Sequence, residues 1–211
     1  MRLVLATRNE HKLRELAQLM APIELDPLPE ELVLPPETGT TYADNALVKA
    51  RAAAAATGLP AIADDSGIEA VALGGAPGVW SSRYAGEDAT DEQNLAKLLD
   101  EVPLGADNRV TYVCAIAYVE PGGSETVVHG RCSGTLTHEP RGHGGFGYDP
   151  AVVPDEGSGD GRTMAELSAA EKDAISHRGR AARELKLKLL RAEEAVRPRG
   201  PLADLFRRAR R

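Results

Sequence analysis

Short apolar runs alternate with stretches of helical spacing along the first third of the chain. Arg2 to Ala6 is apolar enough to predict a buried strand, and from Glu10 to Met20 the residues Leu13, Leu16, Ala17 and Met20 recur at the interval of one helix face. Thr7-Arg8-Asn9 joins the two. Pro22 to Gly39 is proline-rich and predicts extended chain. Thr41 opens a T-x-x-D cap before an alanine-rich helix to Thr57, with Gly58 placed as its stop. Leu59 to Ala63 predicts a second short strand ending in Asp64-Asp65-Ser66-Gly67. Gly74 to Gly86 reads as a loop, and Thr90-x-x-Gln93 caps a helix to about Leu99. Arg109 to Val119 and Glu125 to Leu136 carry β-branched residues around Pro121-Gly122-Gly123, which predicts a hairpin. His138 to Pro150 is a second glycine-rich loop, and Asp155 to Gly161 reads as a flexible surface insert. Ser168-x-x-Glu171 caps a short helix, and His177 to about Val196 forms a long amphipathic one. Helices alternating with strands before a long hairpin predict an α/β fold, a mixed twisted sheet with flanking helices. Residues 1–198 read as a single domain and 199–211 as a basic tail.

Composition narrows the function classes. The 211 residues are 42% hydrophobic and 27% charged, which fits a globular domain and excludes general disorder. The net charge of −7 argues against a nucleic-acid polymer as partner. No run approaches the ~18 apolar residues of a membrane span, and charged Arg8, Glu10 and Lys12 interrupt any leader-like start. A cytoplasmic protein without membrane contact is expected, with Cys114 and Cys132 as reduced core residues. Charge is segregated: positions 24–45 hold six acids and no base, whereas 162–191 hold eight bases against four acids. A polyanion with its cation would explain this, and so would solvated faces.

Four constellations carry chemistry. Thr7-Arg8-Asn9-Glu10-His11-Lys12 follows a strand and opens a helix, where free N–H groups make an anion site; alternatively Asn9 only caps the helix and Lys12 is solvated. Asp64-Asp65 after a buried strand offers carboxylates for a divalent metal and for activating water, with Glu37 as a second ligand; the other reading is a tight Asp-Gly turn. Gly142 to Pro150 contains a G-x-G-x-x-G match, but the flanking Glu139-Pro140-Arg141 and Tyr148-Asp149-Pro150 do not supply the strand and helix of a dinucleotide site. That loop instead offers Phe146, one of two phenylalanines in an aromatic-poor chain, as a stacking platform; the other reading is a ring folded back into the core. Finally, Ser176 as N-cap puts His177 and Arg178 in a first helical turn, against the helix dipole, which an anion or polar ligand would relieve.

In this order the motifs T-R-N-E-H-K, E-T-G-T-T-Y-A-D-N-A, A-D-D-S-G-I, G-G-A-P-G-V-W-S-S-R-Y-A-G, G-G-F-G-Y-D-P and E-K-x-x-x-S-H-R resemble the inosine/xanthosine triphosphate pyrophosphatase family across nearly the whole chain. The resemblance implies two lobes around a central cleft, a homodimer, and Mg²⁺-dependent hydrolysis of ITP, dITP and XTP to the monophosphate and pyrophosphate. By matching positions, Thr7, Arg8, Asn9, Glu10, His11 and Lys12 would bind triphosphate. Glu37 and Asp65 would hold metal with Asp64 in support, and Asp65 would accept the proton. Ser66, Phe146, Gly147, Tyr148, Asp149, Lys172, His177 and Arg178 would contact nucleotide. The Trp80–Arg83 loop also matches, without residue-level roles. His11 stands where many relatives have glycine. Two other functions compete: a non-catalytic nucleotide-binding module, and a pyrophosphatase for modified pyrimidine nucleotides.

Overall fold

Six strands, β1 (Arg2–Leu5), β2 (Glu24–Pro27), β3 (Ala61–Ala70), β4 (Arg109–Val119), β5 (Glu125–Leu136) and β6 (Val152–Pro154), form one sheet in the order β2-β1-β3-β4-β5-β6. In this computed structural model residues 1–157 and 160–196 are described; the basic tail from 199 to 211 lies outside the described residues. β1 runs parallel to β2 and β3, and the pairings from β3 to β6 are antiparallel, so the sheet is mixed as the pattern predicts. Helices α1 (Glu10–Met20), α2 (Tyr42–Thr57), α3 (Asp91–Glu101), α4 (Ala169–Ile175) and α5 (His177–Val196) flank it.

The caps explain the boundaries. Thr41 Oγ1 accepts from Asp44 N at the start of α2, and Gly58 ends that helix in the left-handed region. Thr90 with Gln93 and Ser168 with Glu171 form complete capping boxes. Ser176 Oγ accepts from Gly179 N at 3.0 Å and so starts α5.

Three expectations need correction. β3 does not stop at Ala63 but runs through Asp64-Asp65-Ser66-Gly67 to Ala70, because β4 pairs with it at every position. Polar residues in a strand covered on both faces hide it from a reading based on apolar runs. β2 and β6 went unpredicted, being short sheet edges of four and three residues. The Gly74–Gly86 loop contains a 3₁₀ turn, Gly78–Arg83.

The apolar interior is divided along the long strands. Leu3, Leu16, Ile62, Ile116 and Leu185 pack one face, and the alanine face of α2 packs the other through Ala46, Ala50 and Ala53. Beyond Gly67 a second core gathers Ile68, Leu98, Val110, Leu136 and Met164. The polar stretch of β3 lies between these two lobes. Cys114 and Cys132 are buried and unpaired, as expected. Among the described residues no helix is long and apolar enough to cross a membrane.

Candidate active site

Asp64 and Asp65 face Ile116 and Ala115 of β4 in an unbroken ladder, so the turn reading of this pair fails. Successive strand residues point to opposite faces, and the two acids therefore enter different surroundings. Asp64 is completely buried. Its Oδ2 meets Lys12 Nζ at 3.1 Å and accepts from Arg178 Nε and Nη2 at 3.2 Å each. Burial alone would raise its pKa, but Lys12, Arg178 and Lys49 hold the carboxyl well below the usual carboxylate range. Oδ2 is committed to these cations, so Asp64 is their counter-ion, while its Oδ1 is buried without a hydrogen-bond partner.

Arg178 is equally committed. Its Nη1 donates to Glu15 Oε2 at 2.7 Å and Nη2 to Ser66 Oγ at 2.9 Å. Of five guanidinium N–H groups, one on Nη1 stays available. Glu15 Oε1 accepts from Lys172 Nζ at 2.7 Å, and Lys172 also donates to Asp149 Oδ2 at 2.8 Å. Burial opposes ionisation of Glu15, yet Arg178 and Lys172 keep its pKa low.

On the other face Asp65 Oδ2 accepts from Asn45 Nδ2 at 2.9 Å, and Oδ1 lies 3.9 Å from Lys49 Nζ. Burial, reinforced by the nearby Glu37 charge, raises the Asp65 pKa against the pull of Lys49 and Asn45. Glu37 comes from the extended segment before α2. Lys49 Nζ donates to its Oε1 at 2.5 Å, and Arg83 Nη2 donates to its carbonyl at 2.9 Å. Arg83 in turn stacks over Trp80, 4.3 Å from the ring centre, so the Trp80–Arg83 loop anchors Glu37.

The Thr7–Lys12 turn needs revision. Asn9 Oδ1 accepts from His11 N at 2.9 Å and Lys12 N at 3.1 Å, so the capping reading of Asn9 is realised and two expected free donors are taken. Arg8 donates to the carbonyls of Leu28, Pro29, Glu30 and Leu32, fastening the proline-rich segment. Glu10 is exposed beside Arg14 and does not line the cavity; an acid suits the first turn of the helix. His11 does not line the cavity itself; its ring stacks on Phe146 with centroids 5.1 Å apart.

In the glycine loop Phe146 N donates to Asp149 Oδ2 at 3.0 Å and Gly147 N to Asp91 Oδ2 at 2.8 Å. These bonds hold a half-buried Phe146 ring at the cavity, with Lys172 Nζ 5.1 Å from its centre. Tyr148 spends its hydroxyl on Ser81 O at 2.7 Å. His177 is buried and stacks on Tyr112 at 4.8 Å; burial and the neighbouring Arg178 and Lys172 push its pKa well down, so the ring is neutral. Asp149 accepts from Tyr112 Oη at 3.0 Å.

One cavity of about 310 Å³ joins these parts. It is lined by Thr7, Arg8, Asn9, Lys12, Glu37, Asp65 and Ser66 from the first half of the chain, and by Phe146 to Asp149, Lys172, His177 and Arg178 from the second. Lys49 and Asp91, which the motif reading missed, line it as well, and Glu15 and Arg83 support it from behind. Asn45 and Lys49 were legible in principle, since both interrupt the apolar stripe of α2. Glu15 gives no such sign. Gly130 of β5 was also missed: a Cβ there would run into the His177 carbonyl, so this glycine lets the first turn of α5 approach the sheet.

Comparison with known proteins gives a consistent result. A dITP/XTP pyrophosphatase of Frankia alni is 54% identical over 200 residues, covering 88% of this chain and 95% of the relative. One from Streptomyces coelicolor is 49% identical over 195 residues, covering 87% and 94%. The solved structure of a HAM1 protein from Coxiella burnetii superposes with a TM-score of 0.80 at 42% identity, over 90% of this chain and 99% of that one. The Ham1 family pattern extends over residues 3–188, through both halves of the cavity, and the chain belongs to the Ham1 family.

Proposed function

We propose that the protein hydrolyses non-standard purine nucleoside triphosphates, ITP, dITP and XTP, to the monophosphate and pyrophosphate. The observation that carries this reading is a cation-rich cavity lined by a carboxylate pair and an aromatic ring, in a chain 54% identical to a dITP/XTP pyrophosphatase. Lys12, Lys49, Lys172 and Arg178 line the cavity and would neutralise the triphosphate. Asp65, a carboxylate whose pKa is raised by burial and by Glu37, would accept the proton of the water that attacks the α-phosphorus.

Glu37 and Asp65, two carboxylates bridged by one ammonium at the cavity wall, form an oxygen donor pair suited to a hard divalent cation. They would hold Mg²⁺, which when bound would neutralise phosphate charge and acidify water. Phe146 would stack on the base, and the remaining Nη1–H of Arg178 would donate to a 6-oxo group, which adenine's 6-amino group cannot accept. Clearing such nucleotides is work for the cytoplasm, and the motif resemblance adds a homodimer. The carboxylate pair disfavours a purely binding module, because a phosphate sensor gains nothing from repulsive acids.

The test is pyrophosphate release from dITP, XTP, dATP and a modified pyrimidine triphosphate, with and without Mg²⁺, for wild type and Asp65→Asn. Hydrolysis selective for dITP and XTP, falling by about 10²–10⁴ in the variant, is expected. Equal rates on dATP would remove the substrate assignment, and a variant within tenfold of wild type would remove Asp65 as base.

A further inference from the structure

Glu37 and Asp65 converge on one cavity wall from different parts of the chain, and what lies between them is the ammonium of Lys49. Its Nζ is 2.5 Å from Glu37 Oε1 and 3.9 Å from Asp65 Oδ1, and it donates to the main-chain oxygen of Asp64 at 2.6 Å. Lys49 is 7% exposed, so this cation is withdrawn from water at the end of a long side chain that α2 fixes against the sheet. Two carboxylates and a carbonyl oxygen around one cation are the kind of oxygen set a hard divalent ion takes. Without a cation among them the acids would repel each other in a low-dielectric wall.

We propose that Lys49 is the built-in counter-ion of the nucleotide-free enzyme: its ammonium holds Glu37 and Asp65 together, a divalent cation displaces it from Glu37, and the released ammonium then serves the triphosphate. The inference rests on the reading of Glu37 and Asp65 as the metal-holding pair. Lysine and metal compete because they claim the same oxygens and repel each other at this range. The bond to the Asp64 carbonyl gives the displaced ammonium a place to stay, and Lys49 lines the cavity that the substrate enters. Loading of the cation and readiness of a phosphate-binding lysine thereby become one event. An ammonium that serves only as structural glue predicts the reverse, since its removal would loosen the acids and weaken metal binding.

The test titrates Mn²⁺ and Mg²⁺ calorimetrically into the full-length, nucleotide-free protein as wild type, Lys49→Met, Lys49→Arg and Glu37→Gln. Lys49→Met should bind the ion at least about tenfold more tightly than wild type, Lys49→Arg should stay close to wild type, and Glu37→Gln should bind weakly. Binding by folded Lys49→Met that is equal to or weaker than wild type, with Glu37→Gln weak, overturns this inference alone. Wild type that takes no divalent ion, or Glu37→Gln that binds as well as wild type, overturns the parent reading and this one with it. If Lys49→Met folds only in the presence of the metal, wild-type protein labelled at its lysine side chains decides. Mg²⁺ saturation should then shift the Lys49 side-chain resonance, assigned through Lys49→Arg, and an unmoved resonance overturns the inference.

Discussion

Asp64→Asn removes a charge and almost no volume from the buried centre of the site. The charge it removes is carried by a carboxylate whose Oδ2 is 3.1 Å from Lys12 Nζ and accepts two bonds from Arg178 at 3.2 Å, with no solvent exposure of the side chain. At that separation and an effective dielectric of ~20, each unit-charge pair is worth about 5 kcal/mol before desolvation. Much of this is offset, because burying the carboxylate is itself costly and because Arg178 keeps Glu15 while Lys12 keeps the cavity. Breaking a buried pair costs about 3–5 kcal/mol, and with these residual partners we expect about 3 kcal/mol at neutral pH. Urea denaturation of wild type and variant, with unchanged m-value, measures it. The pH dependence has a defined sign. The folded carboxyl is held well below its ordinary range, so its contribution is complete above the unfolded value of about 3.9 and is lost as pH falls further toward the folded value. The gap between the two proteins should thus be flat from about pH 7 to 5 and narrow below about pH 4. A gap under about 1 kcal/mol at neutral pH, or one that fails to narrow in acid, would refute the assignment of Asp64 as counter-ion to Lys12 and Arg178.

Two further outcomes test the base platform and the backbone that carries the cations. Phe146→Ala should lower kcat/KM for dITP and XTP by roughly 5- to 150-fold, the worth of one base–aromatic stack, in steady-state pyrophosphate release; an unchanged value would place the base elsewhere. Gly130→Ala puts a methyl group against the His177 carbonyl and 2.8 Å from Ala181 N, so thermal and urea unfolding should show a loss of about 1–3 kcal/mol together with a raised KM for nucleotide. A variant with wild-type stability would mean that α5 moves off the sheet freely.

Elements with strong local signals were readable in the sequence. α1, β4, β5 and α5 have the predicted bounds, because periodicity and the Pro121-Gly122-Gly123 turn act over a few residues. β3 was cut short at Ala63, since its remaining half is defined by pairing with β4, a chain segment some fifty residues away, rather than by its own apolar content. Motif order brought Thr7, Lys12, Glu37, Asp65, Phe146, Lys172 and Arg178 to one cavity, but it could not tell what each side chain would touch. Arg8 was read as a phosphate ligand and spends its guanidinium on four carbonyls; Glu10 faces solvent; Asn9 closes its own helix. Glu15 shows the opposite failure. It is one acid among ordinary helix residues until α4 and α5, more than 150 positions later, bring Lys172 and Arg178 against it.

The adjacent acids of β3 owe their separate fates to parity. Asp64 and Asp65 differ by one position, and only the alternation of a strand sends the first to Lys12 and Arg178 and the second to Asn45 and Lys49. A register slip of a single residue would carry Asp64 into the place of Asp65 and Ala63 into that of Asp64, presenting the cavity with the wrong acid, and every pair of the ladder would have to change partner. The pairing of β3 with β4 over ten consecutive residues, from Ala61 opposite Val119 to Ala70 opposite Val110, makes such a slip cooperative and hence costly. Sheet length here serves as an error-correcting device: which acid reaches the cavity depends on the fidelity of the strand alignment.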